Sequence, residues 1–184
     1  MRVRNSAEGY GAIAQFLHWL TVVLVAIAWM LGTFDDVLPK GAARAAGLFV
    51  HISAGVAILV ALVARVIWRM ADPPPEPAPT RLGAWLDSAG RLAHYALYAL
   101  LVAVPVAGIV LQFARGDALP LFGFAEIPSP WLRDRTYARS AREVHEVLAN
   151  ALVMLAAFHA AAALVHHWIF RDRTLLRMLP DGRR

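Results

Sequence analysis

Four stretches of roughly 20 residues carry almost no charged side chains, and this feature constrains the fold more than any other. They lie at about 14–34, 49–68, 92–113 and 144–170. Each is long enough to cross the hydrocarbon core of a bilayer as a helix. We therefore predict an all-α membrane protein built as a bundle of four transmembrane helices. We expect residues 1–184 to form a single membrane domain.

The segments between these stretches indicate how the chain is oriented. The run DPPPEPAPT at residues 72–80 is a stiff linker, because its prolines fix φ and remove backbone donors. Most of the 18 Lys and Arg residues lie on the side that holds this linker and both termini. That bias predicts cytoplasmic termini. No small-residue cleavage site follows the first stretch, so we expect a retained helix rather than a removed signal peptide.

Composition limits the chemistry available to the bundle. There is no cysteine, which excludes disulfides, thiolate metal sites, iron-sulfur clusters and CxxCH haem attachment. Any metal centre must therefore use some of the seven histidines. The net charge of +5 follows from the loop arginines of a membrane protein, and we expect a lipid bilayer rather than nucleic acid as its partner.

The last apolar stretch holds two histidines, His145 and His159, that are 14 residues apart. At about 100° and 1.5 Å per residue, they return to within about 40° of one helix face and lie about 21 Å apart along the axis. This helix therefore offers one imidazole near each side of the bilayer.

The other membrane histidines can be sorted by depth. His51 falls near the outer side with His145, whereas His18 and His94 fall near the inner side with His159. Pairs of neutral imidazoles on separate helices are what six-coordinate haems require. Depth alone leaves the partner of His159 open between His18 and His94. It also leaves open a histidine-lined path for metal ions or protons.

Small and basic residues flank the outer histidines. Gly55, four residues after His51, either leaves room for a flat macrocycle or lets two helices approach closely. A basic run precedes His145 within the 114–143 connection, and it is either a solvated surface or an electrostatic funnel toward the outer histidines. Its arginines are Arg133, Arg135, Arg139 and Arg142.

Several segments match a known family. They are FLHWL, HISAGVAILV, AHYALYALLVAVPVAGIV, HEVLAN, FHAAAALVHH and TLLRMLP, in this order along the chain. Over nearly its whole length the chain resembles the bacterial cytochrome b561 family. Within that family it is most similar to the small diheme members that act as superoxide:ubiquinone oxidoreductases.

The resemblance implies a bundle enclosing two b-type haems in the bacterial inner membrane. It implies His18 and His159 as axial ligands of the inner haem iron, and His51 and His145 as those of the outer one. This favours His18 over His94, the choice that depth left open.

The resemblance also implies an activity. Superoxide would be oxidised to dioxygen on the periplasmic side, and the electrons would pass through both haems to ubiquinone. The position of the four arginines just before His145 leads us to expect that they steer superoxide to the outer haem. His166 is the residue we expect to contact the quinone, although His166 and His167 could equally anchor the helix at the interface. The alternative is a cytochrome b anchor subunit that links a partner dehydrogenase or hydrogenase, its redox partner protein, to the quinone pool.

Overall fold

The computed structural model describes residues 2–7, 9–76 and 84–179. Four helices account for most of them, and each is long and apolar enough to cross a membrane, which confirms the prediction of four membrane-spanning helices. They are α1 (Ala12–Thr33), α2 (Ala42–Ala71), α3 (Ala84–Ala114) and α4 (Arg135–Trp168). Residues 77–80 of the predicted linker lie outside the described residues.

The helices pack as two antiparallel hairpins, α1 with α2 and α3 with α4, and α2 also contacts α3. His51 near the start of α2 reaches Ala28 near the end of α1, and His94 near the start of α3 contacts His159 near the end of α4. One end of the bundle therefore holds the starts of α1 and α3 with the ends of α2 and α4. We call this the inner end, and the opposite one the outer end.

The core lies between the two ends of the bundle. Its buried side chains come from α2, α3 and α4, and residues of α1 pack against them. They are Ile58, Leu62, Leu101 and Leu152. Many other apolar side chains point outward, including Phe16, Val60 and Phe158, which are at least 60% exposed. Such a surface suits lipid, which is as apolar as these side chains.

Helix α4 begins at Arg135 rather than near residue 144, where the apolar stretch begins. Asp134 caps it, and its carboxylate accepts hydrogen bonds from backbone N–H groups of the first turn at 2.9 and 3.0 Å. The first turns are charged and project beyond the apolar stretch. The sequence pattern placed Arg139 and Arg142 in the 114–143 connection, but both lie on helix α4.

The segment between α3 and α4 turns back over the outer end. It contains a two-stranded antiparallel sheet of β1 (Leu119–Leu121) and β2 (Ala125–Ile127). The turn that leaves α3 places Gly116 at φ +77°, a left-handed conformation that glycine adopts without strain. A Cβ at Gly116 would lie 3.2 Å from Cβ of Arg133, so the turn packs directly against the approach to α4.

The N-terminal and C-terminal segments that the structure describes meet at the inner end. The C-terminal segment forms a 3₁₀ helix at Leu176–Met178, and residues 177–179 accept hydrogen bonds from the start of the chain. The backbone N–H of Tyr10, Nε2 of Gln15 and Nε1 of Trp19 donate to these three carbonyls at 3.1, 3.1 and 2.9 Å. We call this contact the terminal clasp.

Candidate functional site

His51 on α2 and His145 on α4 face each other at the outer end. Their ring centroids are 6.0 Å apart and their planes are inclined by 78°. Both side chains are half-buried in the bundle. The structure therefore brings together the two histidines that the resemblance paired as outer ligands.

Each outer ring is oriented by a backbone carbonyl of its own hairpin. His51 Nδ1 lies 2.8 Å from the carbonyl oxygen of Ala28 on α1, and His145 Nδ1 lies 3.0 Å from that of Val104 on α3. A carbonyl only accepts, so Nδ1 must carry the proton and donate. In a neutral imidazole this leaves Nε2 as the free electron-pair donor, which is the arrangement found around metal-binding histidines.

A glycine lies beside each of these rings. A Cβ built on Gly32 would lie 2.9 Å from Cε1 of His51, and one on Gly108 would lie 3.1 Å from Cε1 of His145. Gly32 and Gly108 each come four residues after the carbonyl that accepts the hydrogen bond, so they lie on the same helix face as that carbonyl. The lack of a side chain lets each ring reach the backbone.

Sequence reasoning singled out Gly55 instead of these two glycines. A Cβ at Gly55 would meet no atom within 4 Å, so close helix packing does not require glycine there. Gly32 and Gly108 could have been found from their four-residue spacing after Ala28 and Val104. That spacing has a meaning only once the register of each hairpin shows which carbonyls accept from the histidines.

Three histidines gather at the inner end. The rings of His94 and His159 are 5.1 Å apart, inclined by 76°, and His18 lies within electrostatic reach of both. Nδ1 of His94 donates to the carbonyl oxygen of Gly90 at 2.8 Å. The ring contact is thus between His94 and His159, so the pairing of His18 with His159 stays a prediction.

Arg65 on α2 adjoins this inner cluster, and sequence reasoning assigned it no role. Its two terminal nitrogens both lie 3.4 Å from Nδ1 of His18. Its guanidinium carbon lies 5.5 Å from the centre of the Tyr98 ring. The charge therefore points into the bundle, between α1 and α3.

An open cavity of about 380 Å³ lies at the outer end, beside the start of α4. All four predicted arginines line it, together with Arg115, which sequence reasoning missed. The lining residues are Arg115, Asp117, Arg133, Arg135, Ala138, Arg139 and Arg142. We call it the arginine pocket. Arg115 is also within electrostatic reach of His145, so the pocket adjoins the outer histidine pair.

The arginines of this pocket differ in how far they are neutralised. Nε of Arg142 lies 2.6 Å from a carboxylate oxygen of Glu146, and Nε of Arg139 lies 3.8 Å from one of Glu143. Both pairs are exposed, and in each pair the two residues are one helical turn apart. Within the described parts of the chain, the other three arginines of the pocket have no carboxylate within ion-pair distance. The pocket keeps a net positive charge.

At the inner end of α4, His166 is fixed by the chain that follows the helix. Nδ1 of His166 lies 2.5 Å from Oδ2 of Asp172, and the backbone N–H of Asp172 donates to the carbonyl oxygen of His166 at 3.1 Å. Burial acts to raise the pKa of Asp172, but hydrogen bonds from His166 and Thr174 outweigh it and lower that pKa. His167 lies beside Trp168, with ring centres 6.3 Å apart.

The donor set suits one kind of cofactor. No group of three or more metal-binding side chains forms among residues 2–7, 9–76 and 84–179. The outer end instead offers two imidazoles on facing helices, each with Nδ1 bound to a carbonyl and Nε2 free. These residues fit the axial ligation of haem, and the lack of cysteine fits haem held without covalent attachment.

A membrane helix bundle with such histidines defines a b-type cytochrome. The chain belongs to the prokaryotic cytochrome b561 family, whose model matches residues 9–181. It is 36% identical to "Cytochrome b561 homolog 2" of Escherichia coli (strain K12) over 186 residues, covering 97% of this chain and 95% of the relative. It is 32% identical to "Probable superoxide oxidase CybB" of Yersinia pestis over 178 residues, covering 95% and 97%.

Another relative, "Cytochrome b561 homolog 1" of Escherichia coli (strain K12), is 35% identical over 169 residues, covering 90% and 93%. Membership confirms the family resemblance. The protein is a haem-containing electron-transfer protein that crosses the bacterial inner membrane several times.

Proposed function

We propose that this cytochrome transfers electrons from superoxide at its outer end to ubiquinone at its inner end. Two superoxide ions each give up one electron and leave as dioxygen, while one ubiquinone takes up two electrons and two protons to become ubiquinol. The observation that carries the proposal is the arginine pocket beside the outer histidine pair. The relative from Yersinia pestis, named a probable superoxide oxidase, supports it.

The proposal assigns two haems to the histidine groups, His51 with His145 at the outer end and His159 with His18 at the inner end. Haem, when bound, supplies one-electron redox chemistry that protein side chains lack. The chain supplies the imidazoles and holds them in one orientation. The buried core between the two ends keeps water out of the path, which limits side reactions of the electrons.

The arginine pocket draws superoxide to the outer end. Superoxide is a small anion, and a concave surface of one sign of charge raises the local concentration of its counter-ion. Arg115, Arg133 and Arg135 are the members without a carboxylate partner in the described residues, so they contribute most of the field. The pocket also lies at the positive N-terminal end of α4, which adds to the attraction.

At the inner end, His166 binds a quinone carbonyl and delivers a proton to it. Asp172 holds Nδ1 of His166, which leaves Nε2 to exchange a proton with the quinone. Asp172 thus acts as a positioning residue. Because the terminal clasp puts both termini at this end, the bias of basic residues favours an inner end that faces the cytoplasm.

A rate measurement on the purified chain tests the superoxide site. We expect the double variant Arg133→Gln/Arg135→Gln to lower the rate of superoxide-driven haem reduction by about threefold to tenfold at low salt. Its rate should also depend less on salt, because screening acts only on the charges that remain. Lys40→Gln is the matched control, since it removes an exposed cation near the outer end that does not line the pocket.

The outcome separates two functions. If the double variant keeps the parent rate and salt dependence, the arginine pocket has no part in superoxide capture. If the parent chain alone fails to reduce ubiquinone with superoxide, the alternative gains support. In that case the protein is an electron-transfer anchor subunit, and Phe124 and Leu132, both 94% exposed at the outer end, are where a partner would dock.

A further inference from the structure

Arg65 carries a charge inside a membrane helix. It lies six residues before the end of α2, about 9 Å along the helix axis. Ionisable groups at such depth are costly and are normally paired. Among the described residues, however, no Asp or Glu lies within ion-pair distance of Arg65. Arg69, one turn further on, is exposed, so the chain does place other arginines at the surface.

The contacts that Arg65 does make are weak. Both terminal nitrogens lie 3.4 Å from a single atom, Nδ1 of His18, which is longer than an ordinary N–H hydrogen bond. The contact with the Tyr98 ring adds a cation–π attraction but no acceptor for the N–H groups. A guanidinium offers five N–H donors, and its paired arms match the two oxygens of a carboxylate.

A second donor on the same helix is left unsatisfied by the described residues. Nε1 of Trp68 is buried, and the described residues give it no hydrogen-bond acceptor. Residues 65 and 68 are three apart, so they lie on neighbouring parts of one helix face. A buried N–H without an acceptor destabilises the fold, because it has given up its hydrogen bond to water. The weakly bonded guanidinium of Arg65 and the N–H of Trp68, which has no acceptor among the described residues, lie within one turn of α2 and indicate that an anionic acceptor belongs there.

We propose that Arg65 and Trp68 form a carboxylate-binding site for a propionate of the inner haem. The site adjoins His18, which lies within electrostatic reach of His94 and His159. A haem held by any two of these three histidines would therefore lie beside Arg65. The carboxylates of such a haem are its propionates. This inference rests on the proposed inner haem but not on which two histidines bind it.

The site has a consequence for His18 as well. A guanidinium can only donate, so its closeness to Nδ1 of His18 favours a neutral ring that carries its proton on Nε2. An imidazole in that form cannot bind a metal through Nε2. A propionate that takes over the guanidinium frees Nδ1 to carry the proton, so the two events favour each other.

Infrared redox difference spectra of protein with ¹³C-labelled haem propionates test the site. We expect Arg65→Gln to shift the labelled carboxylate band, and Trp68→Phe to shift it less, because Phe keeps the ring but removes the N–H. The matched control Arg69→Gln should leave the band in place. Arg65→Gln should also lower the equilibrium constant for reduction of the inner haem about tenfold, because a cation beside the haem favours the reduced form. This corresponds to a midpoint potential that is lower by about 59 mV.

Arg65→Lys separates charge from geometry. It keeps the cation but not the paired arms, so we expect the midpoint potential to stay near that of the parent while the labelled band shifts. If Arg65→Gln loses the inner haem altogether, Arg65→Lys and Trp68→Phe still report on the band.

An unchanged band in all three variants would overturn the proposal. So would a loss of bound anionic lipid in Arg65→Gln without any change of the band, since the occupant would then be a lipid phosphate. A parent protein with no inner haem would instead overturn the proposed function itself.

Discussion

Replacing Gly32 by alanine tests how the outer histidine pair is held. The new Cβ would lie 2.9 Å from Cε1 of His51, whereas carbon atoms in contact normally keep about 3.5–4.0 Å. The ring must therefore retreat by about 0.6 Å or more. That displacement stretches the 2.8 Å hydrogen bond from Nδ1 to the carbonyl oxygen of Ala28 beyond an effective length.

The two possible roles of Gly32 predict opposite changes in stability when it is replaced by alanine. Alanine is favoured over glycine inside a helix by about 0.5–1 kcal/mol, so a glycine without a packing role should yield a more stable alanine variant. We expect Gly55→Ala to behave in this way, because its Cβ meets no atom within 4 Å. Gly32→Ala should instead be destabilised by about 1–3 kcal/mol, the usual cost of overpacking, and should bind the outer haem poorly.

Thermal unfolding in detergent and the ratio of haem to protein measure both effects. Gly108→Ala should fall between the other two variants, because its Cβ lies at the less severe distance of 3.1 Å from His145. A Gly32→Ala protein with full haem content and a raised melting temperature, like that expected of Gly55→Ala, would refute the reasoning.

Three further predictions concern the inner end. His18→Ala should remove the inner haem and His94→Ala should retain it, and haem counting with difference spectra would show the pairing wrong if the losses were reversed. Because the folded pKa of Asp172 lies below its ordinary 3.8, its carboxylate stabilises the fold fully above that value and loses this effect as pH falls through the folded pKa. Asp172→Asn should therefore flatten the acid side of a plot of melting temperature against pH, and an unaltered acid side would contradict the His166 contact. Trp19→Phe removes the indole donor of the terminal clasp, costing about 1 kcal/mol, and should speed proteolysis after Arg177; equal cleavage of both proteins would argue against the clasp.

The distribution of charge was enough to predict the four helices, because the cost of placing charges in hydrocarbon sets where a chain can cross. It could not give the helix ends, since hydropathy marks the thickness of the hydrocarbon and not the end of hydrogen bonding. Helix α4 shows the difference. Its start is marked by the capping residue Asp134, a local signal that lies before the apolar stretch. The pairing of Arg142 with Glu146 follows from that start, because only on a helix are these residues neighbours.

The candidate site was predictable where side chains carry the chemistry, and not where backbone does. His51 and His145 could be paired from depth and resemblance, and they are adjacent in the structure. The carbonyls of Ala28 and Val104 that orient them are hidden in apolar sequence, since any residue has a carbonyl. Arg115 was missed for a related reason, because the turn at Gly116 brings it to the pocket.

The hydrogen bonds of the outer histidines also bear on the order of assembly. His51 is oriented by α1 and His145 by α3, so each contact forms within one helical hairpin, between residues 23 and 41 positions apart in the sequence. These contacts close shorter loops than the terminal clasp, which joins residues 10–19 to residues 177–179 and must wait for the whole chain. During synthesis, the first hairpin can prepare its ligand before the second has entered the membrane. The two hairpins then pack together with His51 and His145 already oriented, and the terminal clasp at the inner end forms last.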